Sequence, residues 1–369
     1  MKFGVKKVVR FISIYGVIRT FVKVAGRLRV QFPIWWLLRF FHPLRSGRRV
    51  GIIGCGQFSY SAIAYFLSTS TDCKLSWCTD IDIKAAKSMA AAFGMKNYGK
   101  DCSDFLKGTD LVYIASNHAT HTSYAVQSMK AGCDVYIEKP ISTTREQFED
   151  LLAVVRETGK KVYVGYNRPH APSIDLIRNN TADKSLPFSL SCFVTGHFIP
   201  EDHWYRDPKE GTRVCGNLGH WLDLAVHMMC WSNTSVESVD ITISYSDKNT
   251  PSDNFSVVIN TPRGDLVTLT FSARSEPFEG VNESINFQQG KLIAKVNDHR
   301  HTQIWNNEKY LSKKHWPKNV GHKNAILQPF NHNRNREWLE LIISTELMLV
   351  VTDMVKNLEL HREHTFTYK

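Results

Sequence analysis

The chain has 369 residues, 46 Lys+Arg against 35 Asp+Glu and a net charge of +11, but residues 1–49 hold 12 of the basic residues and no acidic one. The rest is nearly neutral, 34 basic against 35 acidic, so the basic total is no argument for nucleic-acid binding by the body of the protein, and the length suits two domains with an appendage. Eight cysteines, at 55, 73, 78, 102, 133, 192, 215 and 230, form no C-x-x-C pair or histidine-spaced cluster, which predicts reduced thiols in a cytoplasmic protein and argues against a zinc site.

Residues 1–48 read as a basic amphipathic helical extension. Val5, Val8, Val9 and Ile12 recur at helical spacing, with Lys2, Lys6 and Arg10 on another face. Gly16 interrupts; Ile18, Phe21, Val22, Ala25 and Leu28 then repeat the pattern beside Arg19, Lys23 and Arg27. An aromatic run follows at 33–41, too short for a bilayer crossing, which needs ~20 apolar residues. No long uncharged run or small-residue cleavage site marks a secretory signal. Two expectations follow: peripheral membrane contact through residues 1–41, at the inner face of the membrane, or packing of the apolar faces on the protein itself or a second subunit.

Residues 49–168 read as a dinucleotide-binding domain. A short apolar run ends in Gly54-Cys55-Gly56, and a helical pattern starts directly after Gln57 and Phe58. Strand, glycine turn and helix start are the dinucleotide fingerprint: Gly54 for the tight turn, Gly56 for close approach of a pyrophosphate, and free N–H groups facing the anion. Ser59 replaces the usual third glycine. A predicted strand at 74–78 leads to Asp80, 24 residues after Gly56. There an acidic residue holds the ribose hydroxyls of NAD, and the lack of an arginine directly after it argues against NADP. Asp82 reads as the cap of a helix at 83–93. Further strands are predicted at 110–115, 134–137 and 161–164, with helices at 121–131 and 146–158 ended by Gly132 and Gly159. The alternation predicts a Rossmann-type doubly wound parallel sheet. Ser116-Asn117-His118, Glu138-Lys139-Pro140 and Tyr166-Asn167-Arg168 all fall at carboxyl ends of its strands, where such sheets bind ligands.

Residues 169–369 read as an α+β domain with a mostly antiparallel open sheet, for substrate binding and oligomerisation. Alternating runs predict strands near 188–194, 239–245, 255–259, 266–271, 284–287, 291–296 and 302–305. Helices are predicted at 172–178 and 217–229, and a long one at 337–358, returning toward the first domain.

The run Gly-Cys-Gly, Asp80, Asp110-Leu-Val-Tyr-Ile-Ala-Ser, His121, Ala131-Gly132, Glu138-Lys139-Pro140 and Gly165-Tyr166-Asn167-Arg168 resembles the Gfo/Idh/MocA family of glucose–fructose oxidoreductase and inositol dehydrogenase. Ile199-Pro200-Glu201-Asp202-His203-Trp204, Gly211 to Asp223 and Gly321-His322-Lys323 are similar to a bacterial branch associated with surface-polysaccharide sugars. Asn117 and Asn217 depart from that branch, which often has arginine and glutamate there. The resemblance implies a catalytic pairing of Lys139 and His220. On the residues alone, Lys139 sits at a strand end where a nicotinamide should lie. His220 has a ring suited to proton exchange near neutrality, with Asp223 and His227 on the same helix face.

The expected cofactor contacts are Gly54, Gly56, Gln57, Phe58, Asp80, Ser116, Asn117, His121, Glu138 and Lys139. The expected substrate contacts are His118, Asn167, Arg168, His203, Trp204, Arg213, Asn217 and Asp223. Together these imply an NAD-dependent oxidoreductase acting on a secondary hydroxyl or keto group of a sugar or nucleotide sugar, most often as a homo-oligomer. Two alternatives stay open. One is an NAD-dependent glycosidase of the same fold, the other a non-catalytic scaffold for a membrane or partner.

Overall fold

In the computed structural model the described residues are 5–31, 47–70, 72–232, 236–274, 280–331, 333 and 335–367. They form two units. The nucleotide unit is Gly16–Gly165 with His322–Arg336; the second unit is Met1–Tyr15, Tyr166–Gly321 and Glu337–Lys369. The expected aromatic run at 33–41 lies outside the described residues. Among the described residues no helix is long and apolar enough to cross a membrane.

The N-terminal segment makes two helices, α1 (Val5–Tyr15) and α2 (Val17–Arg27), broken at Gly16 with φ of 80°. They do not form a body of their own. In the second unit, Ser13 and Ile14 of α1 accept hydrogen bonds through their carbonyls from Trp316 Nε1 and the Lys318 N–H. In the nucleotide unit, α2 buries Val22 and Ala25 among the core residues. Packing on the protein itself therefore accounts for that face of α2, while Val17, Ile18, Phe21 and Leu28 remain exposed.

The nucleotide unit is built on β1 (Arg48–Ile53), β2 (Cys73–Thr79), β3 (Asn97–Gly99), β4 (Leu111–Ile114), β5 (Asp134–Ile137) and β6 (Val162–Val164). The strands are all parallel and lie in the order β3-β2-β1-β4-β5-β6. Strands 1, 4 and 5 are almost wholly buried, as expected of a sheet covered on both faces. The chain reverses its direction across the sheet between β1 and β4, which opens the ligand crevice at their carboxyl ends. The helices stop as the glycines predict. Gly94 and Gly159 take left-handed conformations after the helices Ile83–Phe93 and Arg145–Thr158. Strand β3 was not foreseen, because Asn97-Tyr98-Gly99 carries no buried apolar run.

The second unit holds a nine-stranded sheet of β7 (Phe188–Thr195), β8 (Ser238–Tyr245), β9 (Asn254–Asn260), β10 (Leu266–Ser272), β11 (Asn282–Gln289), β12 (Leu292–Asn297), β13 (His301–Asn306), β14 (Lys309–Lys314) and β15 (His361–Thr365). Its order is β14-β13-β12-β11-β7-β10-β9-β8-β15, antiparallel except where β7 meets β10. Burial alternates strictly along β7, β11 and β12, so one face forms the core and the other is open. The helix Gly219–Met229 packs on the long helix Trp338–Lys356. That long helix stays in the second unit. The segment that joins the nucleotide unit from the far end of the chain is His322–Arg336 instead. It is fixed there by Tyr113 donating to the Ile326 carbonyl at 2.6 Å and Gln328 Nε2 donating to the Val164 carbonyl at 2.9 Å.

Candidate active site

The glycine loop is shaped by contacts that exclude a side chain. Gly54 has φ of +91°, and a Cβ there would lie 2.4 Å from the Ala115 carbonyl oxygen at the end of β4. At Gly56 the situation is reversed: a Cβ would meet nothing within 4 Å. The backbone there faces open space at the switch point of the sheet, as a bound pyrophosphate requires. Gln57 and Phe58 open the following helix and are exposed. Ser59 is buried, and its hydroxyl has no hydrogen-bond partner among the described residues. From Ser59 to Ala64 the helix runs as a wide π turn before closing to α at Tyr65–Ser68. Such turns are common at functional sites.

Asp80 ties this loop to the end of β2. Its Oδ2 accepts from the Cys55 N–H at 2.6 Å and its Oδ1 from the Asp82 N–H at 2.8 Å. Each carboxylate oxygen keeps a further lone pair for a hydroxyl. Asp82 caps the next helix by accepting from the Lys84 N–H at 2.9 Å. The residues present thus fit a dinucleotide: an unobstructed glycine, a helix start and an acidic group joined to the same loop.

A second cluster lies at the ends of β4 and β5. Glu138 is buried, and Tyr136 donates to its Oε1 at 3.1 Å. Burial pushes its carboxyl up to about 7, against the smaller opposing effects of Lys139, Tyr136 and a backbone N–H. Gly165 leaves room for it, since a Cβ there would stand 2.7 Å from the carboxylate. Lys139 is half-buried and joined to Pro140 by a cis peptide. The loop is clamped by the start of the helix His121–Lys130. His121 contacts the Pro140 carbonyl through Nδ1 at 2.7 Å and the Ser116 carbonyl through Nε2 at 3.1 Å. Burial lowers its ring to about 4 despite those carbonyls, so it is neutral near pH 7. Thr122 meets the Ser142 hydroxyl at 2.8 Å, and Gln147 Nε2 reaches the Ala119 carbonyl at 3.0 Å. Ser116, His118, His121 and the Glu138-Lys139-Pro140 turn are thus drawn together, with Asn117 exposed beside them. His121 holds this turn through its ring.

In the second unit, His220 is half-buried and meets the buried Tyr166 ring edge-on at 5.9 Å. Gly219 makes room, because a Cβ would lie 3.4 Å from the Tyr166 hydroxyl and 3.3 Å from Met348 Sδ. Asp223 is buried one turn along the helix, and His227 contacts Glu340 at 2.8 Å. Asn217 is half-buried, and its Oδ1 has no partner among the described residues. His203 caps the short turn that carries the exposed Trp204.

The two arginines expected at substrate are each paired with a carboxylate. Arg168 is buried on Glu283, with Nη2 at 3.1 Å from Oε1, and covers the Trp221 ring at 4.5 Å. Trp221 Nε1 donates to the same carboxylate at 2.7 Å, and His299 stands 3.5 Å from it. Arg213 is buried against Asp253 at 3.2 Å and the His197 carbonyl. Asn167 orients Arg168 by accepting from its Nη1 at 2.9 Å and donates to the Val320 carbonyl. These guanidinium charges are neutralised inside the fold. Sequence reading missed Glu283 because it lies 115 residues from Arg168, within an ordinary alternating strand.

Residues 48–166 match the family model described as the oxidoreductase family, NAD-binding Rossmann fold. These residues are a Gfo/Idh/MocA NAD-binding domain. Among curated proteins, the D-glucoside 3-dehydrogenase of Escherichia coli (strain K12) is 29% identical over 143 residues, 38% of this chain and 41% of that protein. The dTDP-3,4-didehydro-2,6-dideoxy-alpha-D-glucose 3-reductase of Streptomyces antibioticus is 23% identical over 229 residues, 60% of this chain and 68% of that protein. The chain spans roughly two fifths to one half of the length of the first curated relatives it matches. The solved structure of GenD2 from gentamicin A biosynthesis, in complex with NAD, superimposes with a TM-score of 0.71 at 18% identity, covering 89% of this chain and 99% of that one. This extends the fold likeness, though not the family match, over the second unit.

Proposed function

We propose that this protein is an NAD-dependent oxidoreductase that moves a hydride between the cofactor and a secondary hydroxyl or keto carbon of a sugar or nucleotide sugar. The observation that carries the reading is the unobstructed backbone at Gly56 beside an Asp80 already joined to the Cys55 N–H. When bound, NAD supplies the hydride acceptor or donor. The chain's own part is to hold the dinucleotide and move one proton. Gly54, Gly56 and the helix start at Gln57 and Phe58 receive the phosphates, and Asp80 the ribose hydroxyls. Lys139 and His220 are the groups that accept or return the hydroxyl proton. Arg168 and Arg213 act at a distance, by fixing Asn167 and the chain near Val214. The likeness to a dehydrogenase of a glucoside and a reductase of a dTDP-sugar supports the substrate class. The 199–223 and 321–323 motifs support a place in surface-polysaccharide assembly.

The outward face of the second sheet carries exposed Phe193, Leu266 and Ile293, which supports pairing with a second copy. Exposed Val17, Ile18, Phe21 and Leu28 on basic α2 support peripheral membrane contact at the inner leaflet. Flotation of the full chain and of an Ile18→Ser, Phe21→Ser, Leu28→Ser variant with anionic liposomes tests this; equal flotation removes it.

Titration of the full chain with NADH, followed by a screen of sugar nucleotides for a change in NADH fluorescence, tests the catalytic reading. Lys139→Ala is expected to lower turnover by about 10³-fold while keeping NADH affinity. A variant that turns over normally removes the lysine from catalysis. Release of an aglycone with no net NADH would instead identify the glycosidase chemistry.

A further inference from the structure

The end of α2 has an arginine where a helix stop calls for glycine. The Val30 N–H bonds the Ala25 carbonyl at 3.0 Å and the Arg29 N–H the Gly26 carbonyl at 3.4 Å. This is the paired closure that puts the residue after the cap in the left-handed region, where glycine is favoured. Arg29 occupies that position with φ of 53°.

The surroundings hold it there. Gly26 lies so close to Tyr60 that a Cβ would fall 2.7 Å from the ring. The Tyr60 hydroxyl and the Ser88 hydroxyl both donate to the Val30 carbonyl at 3.2 Å. From this fixed point the Arg29 side chain reaches the glycine loop and donates through Nη1 to the Cys55 carbonyl. It has no other hydrogen bond or ion pair among the described residues, and the residue is exposed. Cys55 is thus held from both sides, by Asp80 on its N–H and Arg29 on its carbonyl. Burial dominates the Cys55 thiol, but Asp80 and Arg29 also act on it with opposite sign. Beside it the space over Gly56 is open.

We propose that Arg29, from outside the family-matched stretch 48–166, is a cofactor-binding residue whose guanidinium meets the pyrophosphate of the dinucleotide at the Gly54-Cys55-Gly56 loop. The inference rests on the NAD-dependent reading. The pyrophosphate is preferred to a ribose 2′-phosphate, because the Asp80 carboxylate on the same loop would repel the latter. α2 then serves to aim one positive charge at the cofactor, and the left-handed arginine is the cost of that aim.

The experiment is NADH titration of the full chain at low and high salt, with Arg29→Lys and Arg29→Met. Arg29→Lys keeps the charge and is expected to bind within about threefold of the unmodified protein. Arg29→Met is expected to bind about tenfold more weakly at low salt, with a flatter salt dependence, since it loses one charge-assisted contact. Either Arg29→Met binding as well as the unmodified protein, or Arg29→Lys binding as weakly as Arg29→Met, overturns the proposal. Should Arg29→Met not fold, Arg29→Gly takes its place, because glycine suits this backbone. An unmodified chain that binds no NADH overturns the functional reading and this inference with it; the variant comparison overturns this inference alone.

Discussion

Glu138 and Glu283 are both buried carboxylates, one in each unit, and their surroundings push them in opposite directions. Glu283 is desolvated, but Arg168 and His299 more than offset that and hold its carboxyl well below the usual range. Glu138 has a tyrosine hydroxyl as its side-chain hydrogen-bond donor, and burial takes it up to about 7 despite the neighbouring Lys139. Depth alone therefore does not identify a working acid. A buried carboxylate paired with a buried guanidinium is a brace, whereas one whose pKa lies near neutrality in a strand-end turn is a group that can exchange protons.

The largest way to break this contrast is Glu283→Ala. It strands the buried Arg168 guanidinium and is expected to cost about 3–5 kcal/mol in urea unfolding. A loss under about 1 kcal/mol would mean that Arg168 finds water or another partner, and the brace reading would fail.

The pH dependence comes next. The folded-state pKa of Glu138 is raised from 4.5 to about 7, so between those values the folded chain binds more protons than the unfolded one. This contribution is fully present below 4.5 and is lost as pH rises to about 7, on the order of 2–3 kcal/mol. Glu138→Gln should flatten that slope in thermal or urea melts; an unchanged slope places the titration elsewhere. Glu283 has the opposite sign. Its depressed pKa gives stability present above the ordinary carboxylate range and lost as pH falls through the folded value.

Gly165→Ala is the smallest test, at about 1–3 kcal/mol by overpacking, because its Cβ would press on the Glu138 carboxylate. It sharpens the comparison if the Glu138 slope shifts while the stability that Glu283 provides is untouched. A silent substitution would show that the carboxylate moves aside freely.

The parallel sheet was legible because its strands are short apolar runs separated by glycine-terminated helices. The helix at 83–93 matches to the residue, as Asp82 and Gly94 mark its ends by side-chain chemistry and a left-handed turn. The Asp80 position followed from spacing. What escaped lacks a period or depends on distance along the chain. Strand β14 is exposed at every residue and β15 is a polar edge strand, so neither alternates in hydrophobicity. The arginines were legible as charges near strand ends and loops, but the sequence does not say whether a distant carboxylate has already claimed them. Arg29 was hidden for a related reason: it reads as one more basic residue until the end of α2 is seen to turn it onto the glycine loop.

The tie between Tyr113 and Ile326, with Gln328 fastened to Val164, has a practical outcome for anyone cloning the cofactor-binding half alone. A fragment stopped at residue 165 would leave a tyrosine hydroxyl and a strand carbonyl in the interior without their mates. The stretch recognisable by family likeness is thus shorter than the stretch that can stand unaided. A useful truncation must graft the 322–336 peptide back on and begin no later than the helix that delivers Arg29.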